Sequence, residues 1–149
     1  MNSKHKQRRR AGFTLMEILV ALIIISVLAT LVGVNVLRKP GEARVTAARV
    51  QLRNLAAAVR LYHAEQGQFP SQTQGLLALV EKPSAPPIPA RYPEGGYLDA
   101  RDVPLDPWSR PYLYLIPGRD GQPFEIVTYG RDGEPGGSGE DADLSSADS

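Results

Sequence analysis

The sequence predicts an α+β fold in which one long N-terminal helix lies on a small antiparallel sheet. Three observations carry that expectation. Residues 18–37 form an apolar run without a charge, and residues 44–66 follow with an amphipathic pattern. Residues 111–117 and 124–130 are rich in aromatic and branched side chains. Gly118-Arg119-Asp120-Gly121 stands between them with the composition of a hairpin connection. Helical segments first and strands afterwards segregate into a helix layer and a sheet layer. The 149 residues leave room for one small domain plus one extra helix.

In residues 44–66, Leu52, Leu55, Val59 and Tyr62 recur at spacings of three and four, which makes one apolar face. Arg49, Arg53, Arg60 and Glu65 populate much of the remainder, and Gly67 is a C-terminal stop. Lys39-Pro40-Gly41 predicts a kink or break between this helix and the apolar run. Residues 72–81 predict a second, short helix that buries Leu76, Leu77, Leu79 and Val80, and the Pro-rich residues 82–93 read as an extended loop. In Asp106-Pro107-Trp108, Asp caps a turn, Pro sets its φ and Trp buries a ring beneath it.

The net charge of +1 hides a basic head and an acidic tail. Lys4, Lys6, Arg8, Arg9 and Arg10 precede Gly12, whereas from Asp132 onward the only charged residues are acids. A basic head beside an apolar run orients a chain in a membrane, with the arginines on the cytoplasmic side. There are no repeats and no basic–aromatic surface pattern, so no nucleic-acid partner is expected. Cysteine is absent. A small exported domain without disulfides needs another staple, and a bound metal is one candidate.

At about 1.5 Å per residue, ~20 helical residues cross a hydrocarbon core of about 30 Å. The apolar run has that length, and Ser26, Thr30 and Asn35 are its polar exceptions. A cleaved secretory signal would be shorter and would lead to a small-residue cleavage site. A plain signal anchor accounts for everything except Glu17 and the sharp boundary at Gly12. A charge near the bilayer centre costs at least ~2.5 kcal/mol, and less at the interface, so a snorkelling carboxylate stays open for Glu17 on composition alone.

Gly12-Phe13-Thr14-Leu15-Met16-Glu17 resembles the class III signal of type IV pilins and type II secretion pseudopilins. The resemblance implies that a prepilin peptidase cuts between Gly12 and Phe13, removes the leader 1–12, and N-methylates Phe13. Residues 13–37 would then be a retained transmembrane helix that also forms a filament core. Cutting creates an amine at Phe13, one turn from Glu17. In the low dielectric of packed anchors, the carboxylate of one subunit can neutralise the amine of a neighbour. Glu17 is accordingly expected to be an assembly residue.

Further segments narrow the family. Gln68-Phe69-Pro70, Gln74-Gly75-Leu76, Tyr92-Pro93-Glu94-Gly95-Gly96-Tyr97 and Leu105-Asp106-Pro107-Trp108 resemble the major pseudopilins of type II secretion, the general secretion pathway protein G family. That resemblance implies a type IV pilin-like fold with a globular periplasmic domain over residues 38–144, a C-terminal calcium loop, and a disordered tail at 145–149. One departure is visible. The family carries a proline late in the membrane helix before an asparagine, where this chain has Gly33-Val34-Asn35. Gly loosens a helix by roughly 1 kcal/mol relative to Ala, against ~3 kcal/mol for Pro, so unwinding during assembly is less assured here.

Two readings of residues 130–144, GRDGEPGGSGEDADL, are open from the residues themselves. One is a solvated acidic tail. The other is a loop for Ca2+, which takes six to eight oxygens from carboxylates and carbonyls. EF-hand spacing is absent, and a single echo of a calcium nonapeptide repeat lacks the required aliphatic residue. The family resemblance favours calcium, with Asp132 and Asp143 as carboxylate ligands, the Tyr129 carbonyl as a main-chain ligand, and Asp141 as a further ligand.

The function implied is the major structural subunit of a pseudopilus that drives folded proteins through an outer-membrane secretin. The expected location is the inner membrane, single-pass, with the C-terminal domain in the periplasm. Expected partners are further copies of the chain, minor pseudopilins, the prepilin peptidase, the inner-membrane assembly platform, the secretin and inner-membrane lipid. The alternatives are a type IV or competence pilin, or a membrane-anchored periplasmic calcium-binding domain. No enzyme is expected: His5 and His63 are the only histidines, and no nucleophile constellation, phosphate loop or zinc spacing is present.

Overall fold

The computed structural model describes residues 13–148 and, within residues 29–39, the backbone alone. The basic head, the leader with Gly12, and the departure at Val34 lie outside the described residues. The chain divides into two compact units, one ending at Lys39 and the other beginning at Pro40.

Helix α1 (Leu15–Gln66) contributes to both units. The sequence predicts a kink or break at Lys39-Pro40-Gly41; α1 has no break there and runs on through Pro40. A proline removes one hydrogen bond and crowds the preceding turn. In a helix of 52 residues the turns on either side keep their own bonds, so the disturbance is absorbed rather than terminal. Its position is still legible, because the boundary between the two units falls at Pro40.

In the first unit, every large apolar residue described from Leu15 to Leu28 is exposed, from 43% at Val20 to 85% at Leu15. Ser26 Oγ donates to the Leu22 carbonyl at 2.8 Å, which satisfies its hydroxyl within the helix. Among the described residues, no helix is long and apolar enough to cross a membrane. The apolar run continues into residues 29–37, whose side chains are outside the description.

The second unit is built on the opposite pattern. Ala48, Leu52, Leu55, Ala56, Val59 and Tyr62 form one buried face of α1, as the periodicity predicts. Leu76, Leu79, Tyr112, Tyr114, Phe124, Ile126 and Leu144 complete the core. Tyr112 donates its hydroxyl to Gln51 Oε1 at 2.6 Å and Tyr114 to the Pro70 carbonyl at 3.0 Å. Burial holds both phenols well above their ordinary pKa, so both remain donors.

The short helix expected at 72–81 is a 3₁₀ turn, Gly75–Leu79, which buries Leu76, Ala78 and Leu79 but leaves Leu77 51% exposed. With three residues per turn, positions 76 and 79 share a face and 77 points away. Buried Gln74 fastens the Pro-rich loop to this turn. Its Nε2 donates to the carbonyls of Ala85 and Pro87, each at 2.8 Å, and its Oε1 accepts from the Ser71 amide at 2.9 Å.

Strands β1 (Leu113–Leu115), β2 (Glu125–Thr128) and β3 (Leu144–Ser145) form an antiparallel sheet in the order β1-β2-β3. The predicted hairpin is present, with Tyr114 opposite Ile126. Its connection contains a short 3₁₀ turn, Arg119–Gly121, with Asp120 at φ 52°. Strand β3 corrects the expectation of a disordered tail from residue 145. Thr128 pairs with Leu144, and Val127 with Ser145. Ser146 is buried and exchanges two bonds with Ile126: its Oγ accepts from the Ile126 amide and its own amide donates to the Ile126 carbonyl, each at 2.9 Å. Strand β2 is buried along its length and needs backbone partners on its second side. Pairing makes Ser145 and Ser146 structural.

Glu125 ties the sheet together. Its carboxylate accepts from Arg119 N, Nε and Nη2 at 3.1, 2.8 and 2.7 Å, and from Ser145 Oγ at 2.6 Å. The glutamate side chain is 4% exposed and the arginine 50%. Hydrogen bonding from Arg119 outweighs the opposing effect of burial and holds the Glu125 pKa down to about 2.

A folded-state pKa below the unfolded value of about 4.3 stabilises the fold above that value, and the contribution is lost as pH falls towards 2. Urea unfolding of the wild type should lose up to about 3 kcal/mol from this group between pH 5 and 2. The Glu125→Gln variant should be less stable at pH 7 and show a flatter acid limb. In the core, Leu52→Ala should lower the unfolding free energy by about 3 kcal/mol with little change in the urea dependence.

Candidate functional site

Two regions hold the residues singled out by the sequence: the start of α1, and the loop between β2 and β3. At the first, Thr14 precedes the helix and its Oγ1 accepts from the Glu17 amide at 3.2 Å. The Thr14 carbonyl receives the Glu17 amide at 3.1 Å and the Ile18 amide at 3.2 Å. Thr14 is thus an N-cap, and Glu17 sits in the first turn, where the free amides of the helix favour an anion. Thr-x-x-Glu is a capping-box pattern legible in the sequence, and sequence reasoning on Glu17 overlooked it. Phe13 is 78% exposed, and Glu17 is exposed as well.

The loop is aimed by a buried corner. Asp106 Oδ1 accepts from the amides of Trp108 and Arg110 at 3.0 and 2.8 Å, and Oδ2 accepts from Thr128 Oγ1. The Asp106 amide donates to the Arg110 carbonyl at 2.8 Å, which closes the turn. The cap expected from Asp106-Pro107-Trp108 is therefore present, with Trp108 partly buried against the core. The carboxylate also joins that turn to the end of β2, a contact the local motif does not contain.

Beyond β2 the chain doubles back on itself. The Arg131 amide donates to the Glu140 carbonyl at 2.8 Å and the Asp143 amide to the Gly136 carbonyl at 3.1 Å. Gly130 has φ 62°, and a Cβ there would lie 2.5 Å from the Glu140 carbonyl oxygen. The close approach of the two limbs needs glycine.

The four residues expected to hold calcium are all in this loop, in differing states. The Tyr129 carbonyl accepts from the Gly133 amide at 3.2 Å. Asp132 is exposed, and its Oδ1 accepts from the Glu134 amide at 3.1 Å. Asp143 Oδ1 accepts from the Gly136 amide at 2.9 Å. Asp141 is engaged elsewhere: both its oxygens meet the Arg131 guanidinium, at 2.9 and 2.8 Å. Glu140, left out of the expected ligand set, packs at Gly41 and lies 4.0 Å from Arg44. Among the described residues, no three acidic or histidine side chains are grouped so as to hold a metal. The donors are nonetheless all oxygen, the set a hard cation takes. A site here would rest on Asp132, Asp143 and main-chain oxygens, and Asp141 would join only by exchanging Arg131.

One residue that holds the loop went unnoticed in the sequence. Arg110 Nη1 donates to the Gly130 and Arg131 carbonyls at 2.7 and 2.6 Å, and Nη2 to the Asp132 carbonyl at 3.0 Å. An arginine about twenty positions before its acceptors leaves no local signal.

A family model described as "Type II secretion system (T2SS), protein G" matches residues 35–147, and one described as "Prokaryotic N-terminal methylation motif" matches residues 7–33. The type II secretion system core protein G of Pseudomonas aeruginosa is 43% identical over 143 residues, covering 96% of this chain and 99% of that protein. Its namesake in Vibrio cholerae is 39% identical over 139 residues, covering 93% and 92%. The crystal structure of the major pseudopilin from the type 2 secretion system of enterohaemorrhagic Escherichia coli superposes with a TM-score of 0.61. It has 31% sequence identity, covering 74% of this chain and 92% of that one.

Replacing Asp106 with Ala strips acceptors from two amides and a hydroxyl at a buried position. Thermal or urea unfolding should register a loss of about 3 kcal/mol. Asp106→Asn, which keeps one acceptor oxygen, should lose less.

Proposed function

The chain belongs to the type II secretion system protein G family, and from that premise we propose that it is the major structural subunit of the pseudopilus. In this reading it is a single-pass inner-membrane protein whose C-terminal domain lies in the periplasm. After removal of the leader it assembles with further copies of itself into a filament that drives folded proteins through the secretin. Minor pseudopilins, the prepilin peptidase and the inner-membrane platform are its other partners, and its role is structural rather than catalytic. A pilin of another system is less favoured, because protein G is the matching family.

The observation that carries the reading is the exposed apolar surface of α1 from Leu15 to Leu28. A helix segment whose apolar side chains are exposed on every side belongs in lipid or among its own kind. Both environments are supplied by a subunit that waits in the membrane and then packs into a filament core. Cleavage after Gly12 would place a new amine at Phe13 beside the Glu17 carboxylate. In a low-dielectric core an unpaired charge is costly, so a pair between neighbouring subunits fixes their axial register.

Calcium is the second part of the proposal. The Tyr129 carbonyl, Asp132 and Asp143 would hold the ion, with Asp141 joining when released from Arg131. The bound ion would supply positive charge to a loop whose carboxylates otherwise repel one another.

The intact mass of the protein, expressed with and without a prepilin peptidase, tests the first part. Loss of residues 1–12 plus one methyl group on Phe13 is the expected result; an uncut chain would sink the filament reading. Glu17→Ala should be processed normally yet yield no filaments by electron microscopy. Calcium titration of the wild type should raise its melting temperature, and Asp132→Ala should abolish that rise.

A further inference from the structure

The turn at residues 130–133 contains three successive carbonyls, those of Gly130, Arg131 and Asp132, directed at one guanidinium. Three aligned carbonyl oxygens repel one another unless donors separate them. A planar fork of five N–H groups is suited to that task, and a lysine ammonium is not. The fork is aimed from a fixed base, because Asp106 holds both the amide and the carbonyl of Arg110.

The space for the guanidinium is provided by a missing side chain. Gly133 has φ 75°, and a Cβ there would lie 2.6 Å from Arg110 Cζ and 2.9 Å from its Nε. The rest of the loop has a second internal closure, the two-pronged contact of Arg131 with Asp141. The Tyr129 carbonyl, whose partner is the Gly133 amide, stays outside the Arg110 fork.

We propose that Arg110 is a built-in cation that keeps the 130–133 turn in its folded shape without a metal, and so presents Tyr129 and Asp132 pre-organised. Arg110 is then a positioning residue. The acidic loop of this chain is stapled first by guanidinium, and a divalent ion binds a loop whose ordering cost has already been met. The clamp stands on the geometry alone; its consequence for calcium affinity rests on the calcium reading above.

Amide hydrogen exchange on the full-length chain in detergent micelles, in excess chelator and again in calcium, tests this. In chelator the wild-type amides of Arg131, Gly133, Asp141 and Asp143 should be protected. Arg110→Gln should speed their exchange at least about tenfold. Arg110→Lys should fail to restore the rate. Gly133→Ala should reproduce the loss, and the double variant should be no worse than either single one, since both remove the same contact. Peptides from residues 52–62 should keep the wild-type rate throughout.

A wild-type loop that exchanges freely in chelator would overturn the proposal. So would an Arg110→Gln loop as protected as the wild type, or a loss that spreads into residues 52–62 in both variants. If calcium adds protection to no variant while the chelator results stand, the clamp is supported and the metal site alone is overturned. Where calcium does bind, Arg110→Gln should weaken it by roughly tenfold.

Discussion

Strand β2 places the constraint from which the rest of the globular unit follows. All four of its residues are buried, so each backbone amide and carbonyl must find a partner within the chain. Strand β1 meets one edge through a local hairpin. The other edge is met by residues at the far end of the chain, Leu144 and Ser145 in β3 and then Ser146. The chain must therefore travel out from Thr128 and return at Leu144, and the returning path is the acidic loop. Closing that loop crowds carboxylates, and Arg131 within it meets Asp141. On the strand itself, Glu125 is met by Arg119 of the hairpin connection.

Two buried carboxylates act here as joints. Asp106 connects its own turn to Thr128, and Glu125 connects the hairpin turn to Ser145. Each is surrounded by N–H and O–H donors, which is what makes burial of a carboxylate tolerable. Such joints transmit position. Asp106 orients Arg110, and Arg110 orients the loop that would carry a metal.

The first unit obeys a different rule. From Ile18 to Leu28 its helical segment has no apolar face and polar face to distinguish, because every large apolar side chain described there is uncovered. The capped first turn, with Thr14 and Glu17, completes the helix start locally and leaves the carboxylate exposed.

Much of this was legible in the sequence. Periodicity marked the buried face of α1, aromatic and branched residues with turn chemistry marked the hairpin, and the Gly12-to-Glu17 motif with the protein G segments identified the family. These signals are local: each depends on residues within a few positions of one another. What the sequence missed depends on residues far apart. A kink or break was expected at Lys39-Pro40-Gly41, because local sterics disfavour Pro40 in a helix, and α1 runs on through it without a break. Residues 145–149 were expected to be a disordered tail, and an unsatisfied strand edge captured Ser145 and Ser146. Arg110 carried no signal, because its three acceptors lie about twenty residues away and are backbone oxygens, the same at any residue type. The sequence by itself determined the buried face of α1, the β1–β2 hairpin and what family the chain is in. Only the tertiary structure decided how the C-terminal acids are partnered, because hydrogen-bond satisfaction of a buried strand and a closed loop is a property of the assembled backbone.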